Sequence, residues 1–134
     1  MEELRKVANN SFNQGDYLQS ALVIIQMIEG LLRMEINRFA LINNIPERVI
    51  KRASVEEQSF YRLVLYLDLV KPDNDLSERL IKFNSDRNKI IHRLFYEFES
   101  FASLKKHLVE FCKEGLNLFH NLLELSERVN KKRQ

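Results

Sequence analysis

Tryptophan is missing from the chain, cysteine occurs once, proline twice and glycine three times. One cysteine cannot close an internal disulfide, and Cys112 falls inside a helical pattern beside Phe111, so a disulfide-stapled scaffold is excluded. With so few glycines and prolines and 45% hydrophobic residues, the composition argues against a loop-rich fold and for a compact helical one. No run approaches the ~18 consecutive apolar residues of a membrane span, and Glu2-Glu3-Leu4-Arg5-Lys6 lacks the basic-then-apolar order of an export signal. The expectation is a cytoplasmic protein without a membrane span. A dominant charge is lacking too. The 21 basic and 19 acidic residues leave a net charge of +2, so nucleic-acid contact would have to come from a local patch. Gly-rich phosphate loops, nucleophile elbows and zinc-binding helix motifs are also missing, which removes the common ATPase, hydrolase and metalloprotease readings.

Apolar residues recurring at helical spacing are what the chain does contain. They predict an all-α, antiparallel bundle of about five helices forming a single domain over 1–134, since 134 residues are too few for two ordinary domains. Leu4, Val7, Ala8 and Phe12 mark a first helix over Glu2–Asn13, stopped at Gln14-Gly15. Asp16 is placed to cap a second, Tyr17–Ile42, whose run from Ala21 to Ile28 is apolar on nearly every side and suits a central position. Its stripe is read as Leu18, Leu22, Ile25, Leu32, Ile36 and Phe39, with Glu29 embedded in it. Asn43-Asn44-Ile45-Pro46 ends that helix, and Glu47 to Arg52 reads as a basic connector with room for a helical turn, able to reach a phosphate backbone or simply to be solvated. A third helix is expected from Ser54, with Glu57 completing a capping box, to Val70. Its buried line is Phe60, Leu63, Val64, Leu67 and Val70. The last, from Phe101 to about Asn130, carries Leu104, Leu108, Phe111, Leu118, Leu122, Leu125 and Val129, with Gly115 at a stripe position where two helices could approach closely. Residues 128–134 read as a frayed basic tail.

The fourth helix, expected over Leu76–Phe98, holds the stretch that matters most. At ~100° per residue, Leu80, Phe83, Ile90, Ile91, Leu94 and Phe98 fall near one line with Leu76, and Arg87 falls on the same line. A guanidinium does not lose its proton, so in a core-facing stripe it requires an anion, from the protein or from a ligand. Glu29 and Arg87, opposite charges each set in an apolar line, are either partners or each extends to a bundle edge. Asn88 and His92 share another face of this helix with Ile81 and Phe95. Two apolar side chains flanking two polar ones fit a self-complementary interface around a wet cleft; alternatively they widen the core.

The run Asp86-Arg87-Asn88-Lys89-Ile90-Ile91-His92 resembles the motif of the HEPN superfamily, all-helical domains whose ribonuclease members carry Arg, four to six residues, then His, with a polar residue after the Arg. The Gly15-Asp16-Tyr17 start of an apolar helix with an embedded Glu29 is similar as well. The resemblance implies a metal-independent endoribonuclease, without a cofactor, active as a homodimer on RNA. His92 would be the general acid or base, Arg87 would hold the scissile phosphate, and Asn88 would orient either group, supported by Glu29 and Asp86. Ile81 and Phe95 would lie in the dimer interface. Family analogy also implies a toxin or defence role with an antitoxin or regulatory partner. In one branch of these toxins a Tyr two residues after the His is the target of such a partner; that position is Leu94 here, and Tyr96 lies one turn from His92. The alternative is a non-catalytic HEPN module that binds nucleotide, RNA or protein through the same faces. His107 and His120, thirteen apart, have no Cys, Asp or second His at ligand spacing, so neither predicts a metal site.

Overall fold

A computed structural model describes residues 2–92 and 101–133, with side chains over 2–91 and 102–125. Among the described residues there are six α-helices and no strand: α1 (Glu2–Asn13), α2 (Tyr17–Ile42), α3 (Glu47–Ala53), α4 (Phe60–Val70), α5 (Asn74–His92) and α6 (Phe101–Arg133). Among these residues no helix is long and apolar enough to cross a membrane. The extra helix is α3, where a basic connector with no more than a helical turn was expected. Seven residues suffice for two turns once Pro46, which has no N–H to leave unsatisfied, opens them. The third expected helix also starts later than Ser54. Ser54 instead closes α3 in the left-handed region at φ 50°, a 3-10 turn follows over Val55–Glu57, and Ser59 caps α4 by accepting from the Arg62 N–H at 3.5 Å. At the far end α6 stays helical to Arg133, where a frayed tail was expected. Leu94, Phe95, Tyr96 and Phe98 lie outside the described residues.

Helix α2 is the centre, packed against α1, α4 and α6, while α5 packs on α4 and α6. Relative directions follow from cross-contacts. Phe12 meets Tyr17 and the Ser20 hydroxyl donates to the Ala8 carbonyl at 2.9 Å, so α1 folds back along α2. Phe60 of α4 contacts Phe83 of α5, whereas Asp68 accepts from the Ser77 hydroxyl at 2.9 Å, so α5 runs against α4. Phe83 also stacks on Phe111 at 4.5 Å, and Arg79 bonds Glu114 at 3.2 Å. Asp16 caps α2 as expected, accepting from the Gln19 N–H at 3.2 Å.

The buried side of α2 is centred on Ile24, Ile28, Leu31 and Leu32. That is roughly 80° from the expected stripe. Leu18 and Leu22 are consequently exposed, as are Leu4 and Val7 on α1 and Ile91 on α5. A helix apolar on nearly all sides has a weak amphipathic phase, and the partners decide which side turns inward.

Gly115 lies at the α2–α6 contact, where a methyl group would come 2.5 Å from Cγ2 of Ile24 and 3.1 Å from the Phe83 ring. Gly115→Ala should therefore destabilise the fold. Overpacking of about 1–3 kcal/mol exceeds the roughly 1 kcal/mol that Ala gains in helix propensity. A urea midpoint at or above that of the parent chain would contradict this. Cys112 on the same helix is fully buried, with its thiol donating to the Tyr17 carbonyl at 3.5 Å. Burial pushes the Cys112 thiol up from its ordinary value, partly offset by a hydrogen bond with Ser20. An acid raised in the folded state favours folding below its unfolded value and loses that contribution as pH rises through the folded one. Alkylation of Cys112 should accordingly track unfolding, slow in the native chain at neutral pH and fast in denaturant; equal rates would show the thiol to be accessible.

Candidate functional site

The site is built on three helices. Arg87 leaves α5 on the inward side, and its Nη2 lies 3.0 Å from Oε1 of Glu29 on α2. Its Cζ stands 5.8 Å from the centroid of Phe60, the first residue of α4, in reach of a cation–π contact. The two charges embedded in apolar lines are therefore partners. Their side chains are 24% and 21% exposed, so the pair sits at the margin of the core, neither dry nor fully solvated.

Glu29 is shared. Its Oε2 is also 3.9 Å from Nη1 of Arg33, one turn along α2. Two guanidinium groups face one carboxylate, which leaves this cluster with a formal charge of +1. Among the described residues no acceptor meets the buried Nε of Arg87 or of Arg33. Such a cluster, rich in planar donors and short of anions, suits a phosphate or carboxylate.

Neighbours of Arg87 on α5 point elsewhere. Asn88 is exposed, on the side where Ile81 and Ile91 are also exposed at 38% and 40%. Tyr61 and Leu65, which share a face of α4 by helical phase, are also exposed, at 48% and 42%. Asp86 is not brought to Arg87. It lines a cleft of about 420 Å³ between α5 and α6, with Lys82, Lys89, His107, Glu110 and Glu114 around it. Three carboxylates to two ammonium groups make that cleft a poor host for a phosphodiester. His92 is the last described residue of α5, and its side chain lies outside the described ones. In the chain it follows Asn88 by one helical turn. His120 is paired along α6, with Nε2 3.2 Å from Oε1 of Glu124.

Glu35 escaped the sequence reading. It is fully buried on α2, with Oε1 3.5 Å from Nη1 of Arg38. Its signal was present: Glu35 follows Ile28 and Leu31 at helical spacing and precedes Phe39 by one turn. Centring the α2 stripe on Ile25 and Leu32 placed Glu35 roughly 80° off the line. Comparison with family models, curated proteins and solved structures finds no match for this chain.

Proposed function

We propose that this chain is a metal-independent endoribonuclease of the HEPN type, acting as a homodimer in the cytoplasm. The observation that supports this best is the net positive cluster in which Glu29 of α2 is shared by Arg33 and by Arg87, the latter on the motif helix five residues before His92. In this reading the Arg87 cluster takes the scissile phosphate and Asn88 orients it. His92 removes the proton of the ribose 2'-hydroxyl, whose oxygen then attacks phosphorus. The 5'-oxygen leaves with the proton that the His92 imidazolium returns, and a 2',3'-cyclic phosphate remains. An imidazole is suited to both proton transfers near neutral pH, and a forked guanidinium to the charge that grows on the phosphoryl oxygens. The exposed Ile81, next to Asn88 in phase, supports a two-fold contact along α5, which would place two motifs around one cleft. Phe95 belongs to the same proposed contact. A toxin or defence role, with an antitoxin or regulatory partner, rests on the family resemblance alone.

The test is a mixed RNA pool incubated with the purified chain in EDTA, with end-group analysis of the products. Cyclic phosphate ends and a dimer mass in solution are expected. Cleavage restored only by a divalent metal would defeat the mechanism. One observation favours a second reading, a non-catalytic RNA- or protein-binding module: Glu29 already neutralises Arg87 at 3.0 Å, as a purely structural ion pair would. Binding of intact RNA without any cut would select it.

A further inference from the structure

The two guanidinium groups that share Glu29 are held on different terms. Arg87 gives Oε1 a charge-assisted hydrogen bond at 3.0 Å, whereas Nη1 of Arg33 stands 3.9 Å from Oε2, beyond hydrogen-bond reach. Among the described residues Arg33 has no other polar partner, and no acceptor meets its Nε. Arg38, the other cation of α2, is engaged by the buried Glu35 at 3.5 Å and lies about 140° further round the helix. Arg33 is therefore the cation of α2 that flanks Arg87.

Helix directions fix where Arg33 stands relative to the motif. Glu29 of α2 and Phe60, the first residue of α4, both meet Arg87, while Asn43 at the end of α2 donates to the Val70 carbonyl at the end of α4 at 2.7 Å. These two helices consequently run the same way. Helix α5 runs against α4, and so against α2. Four residues from Glu29 carry the Arg33 backbone about 6 Å toward the C-terminal end of α2, and five residues from Arg87 carry the His92 backbone about 7.5 Å the opposite way. Arg33 and His92 thus flank the Glu29–Arg87 pair from opposite sides along the bundle axis.

The carboxylate also decides how two cations can serve an anionic strand. Glu29 lies between the forks with one oxygen toward each, so a phosphate gripped by both at once would sit against a like charge. Anions are better received separately, at the far edges of the two forks, whose side chains are 24% and 23% exposed. We infer that Arg33 holds the phosphate next to the scissile one, on the side away from His92, so that the substrate is a single strand with at least two successive phosphates. This rests on the reading of Arg87 as the ligand of the scissile phosphate.

The test uses a short RNA containing the linkage cut in the mixed pool, made in three forms. One is all phosphodiester, and the others carry an uncharged methylphosphonate one linkage before or one linkage after the cut. The parent chain should cut one of the two neutral strands about tenfold less efficiently, the scale of one lost charge-assisted contact. Arg33→Gln should cut the all-charged strand that slowly and no longer distinguish it from the neutral one. Its urea midpoint should stay near the parental value, because Glu29 keeps Arg87. Arg33→Lys, which retains the charge and loses the fork, should keep part of the discrimination, and it decides the question if Arg33→Gln does not fold. Equal cutting of all three strands by the parent would overturn the inference. So would a folded Arg33→Gln chain that slows all three alike, which would set Arg33 on the scissile phosphate itself. Failure of the parent to cut any strand would instead retire the nuclease reading, and the inference with it.

Discussion

His92→Ala should lower RNA cleavage by roughly 10²–10⁴-fold, the range that a positioned acid–base group contributes. Helicity, and the mass of the proposed dimer, should be unchanged, because alanine favours helix and His92 is the last described position of α5. His107→Ala is the matching control. His107 lies in the carboxylate-lined cleft between α5 and α6, away from the Arg87 cluster, and its loss should leave cleavage intact. The control separates two histidines that composition alone could not rank. A His92→Ala chain that cuts at the parental rate would end the enzyme reading, whereas a dependence on His107 would move the site to the other cleft.

The parts of this architecture that were legible in the sequence are those where local rules and tertiary packing agree. Asp16 before an apolar run, Gly115 within the α6 stripe and Arg87 opposite Glu29 each carry their reason in their own neighbourhood: a cap, a close approach, and a charge that cannot be left alone. The rest depended on what lies across the helix. The phase of α2 is ambiguous because Ala21 to Ile28 is apolar all round, and α1, α4 and α6 together select the side centred on Ile24 and Ile28. That shift exposes Leu18 and Leu22, and it draws Glu35 into the centre of the core. Helix α3 was hidden for a different reason. Its seven residues are too few for a repeating apolar stripe, and an apolar trough against α2 and α4 is what gives Val49, Ile50 and Ala53 a common direction. Asp86 illustrates a third limit: adjacency in sequence puts it about 100° from Arg87, so it faces α6 and not the cluster.

Glu29→Gln should cost about 1–3 kcal/mol, less than the 3–5 kcal/mol of a wholly buried broken pair, because both partners keep a fifth to a quarter of their side-chain exposure. The loss arises from what remains. Without the carboxylate, Arg87 and Arg33 face each other with no anion between them, at the edge of an apolar core. Removing both charges of the α2–α5 pair, as Glu29→Leu with Arg87→Met, should therefore be milder than Glu29→Gln alone, since one guanidinium, that of Arg33, is left without the carboxylate and not two. A double-mutant cycle on chemical denaturation measures the difference, and a coupling within error of zero would reduce the pair to a surface contact. The same variants divide structural from functional roles. If Arg87 only holds α5 to α2, the Leu/Met chain folds and cleaves as the parent does. If its fork also receives the phosphate, that chain folds but cuts poorly, and Arg87→Lys, which keeps the charge and loses the paired donors, falls between the two.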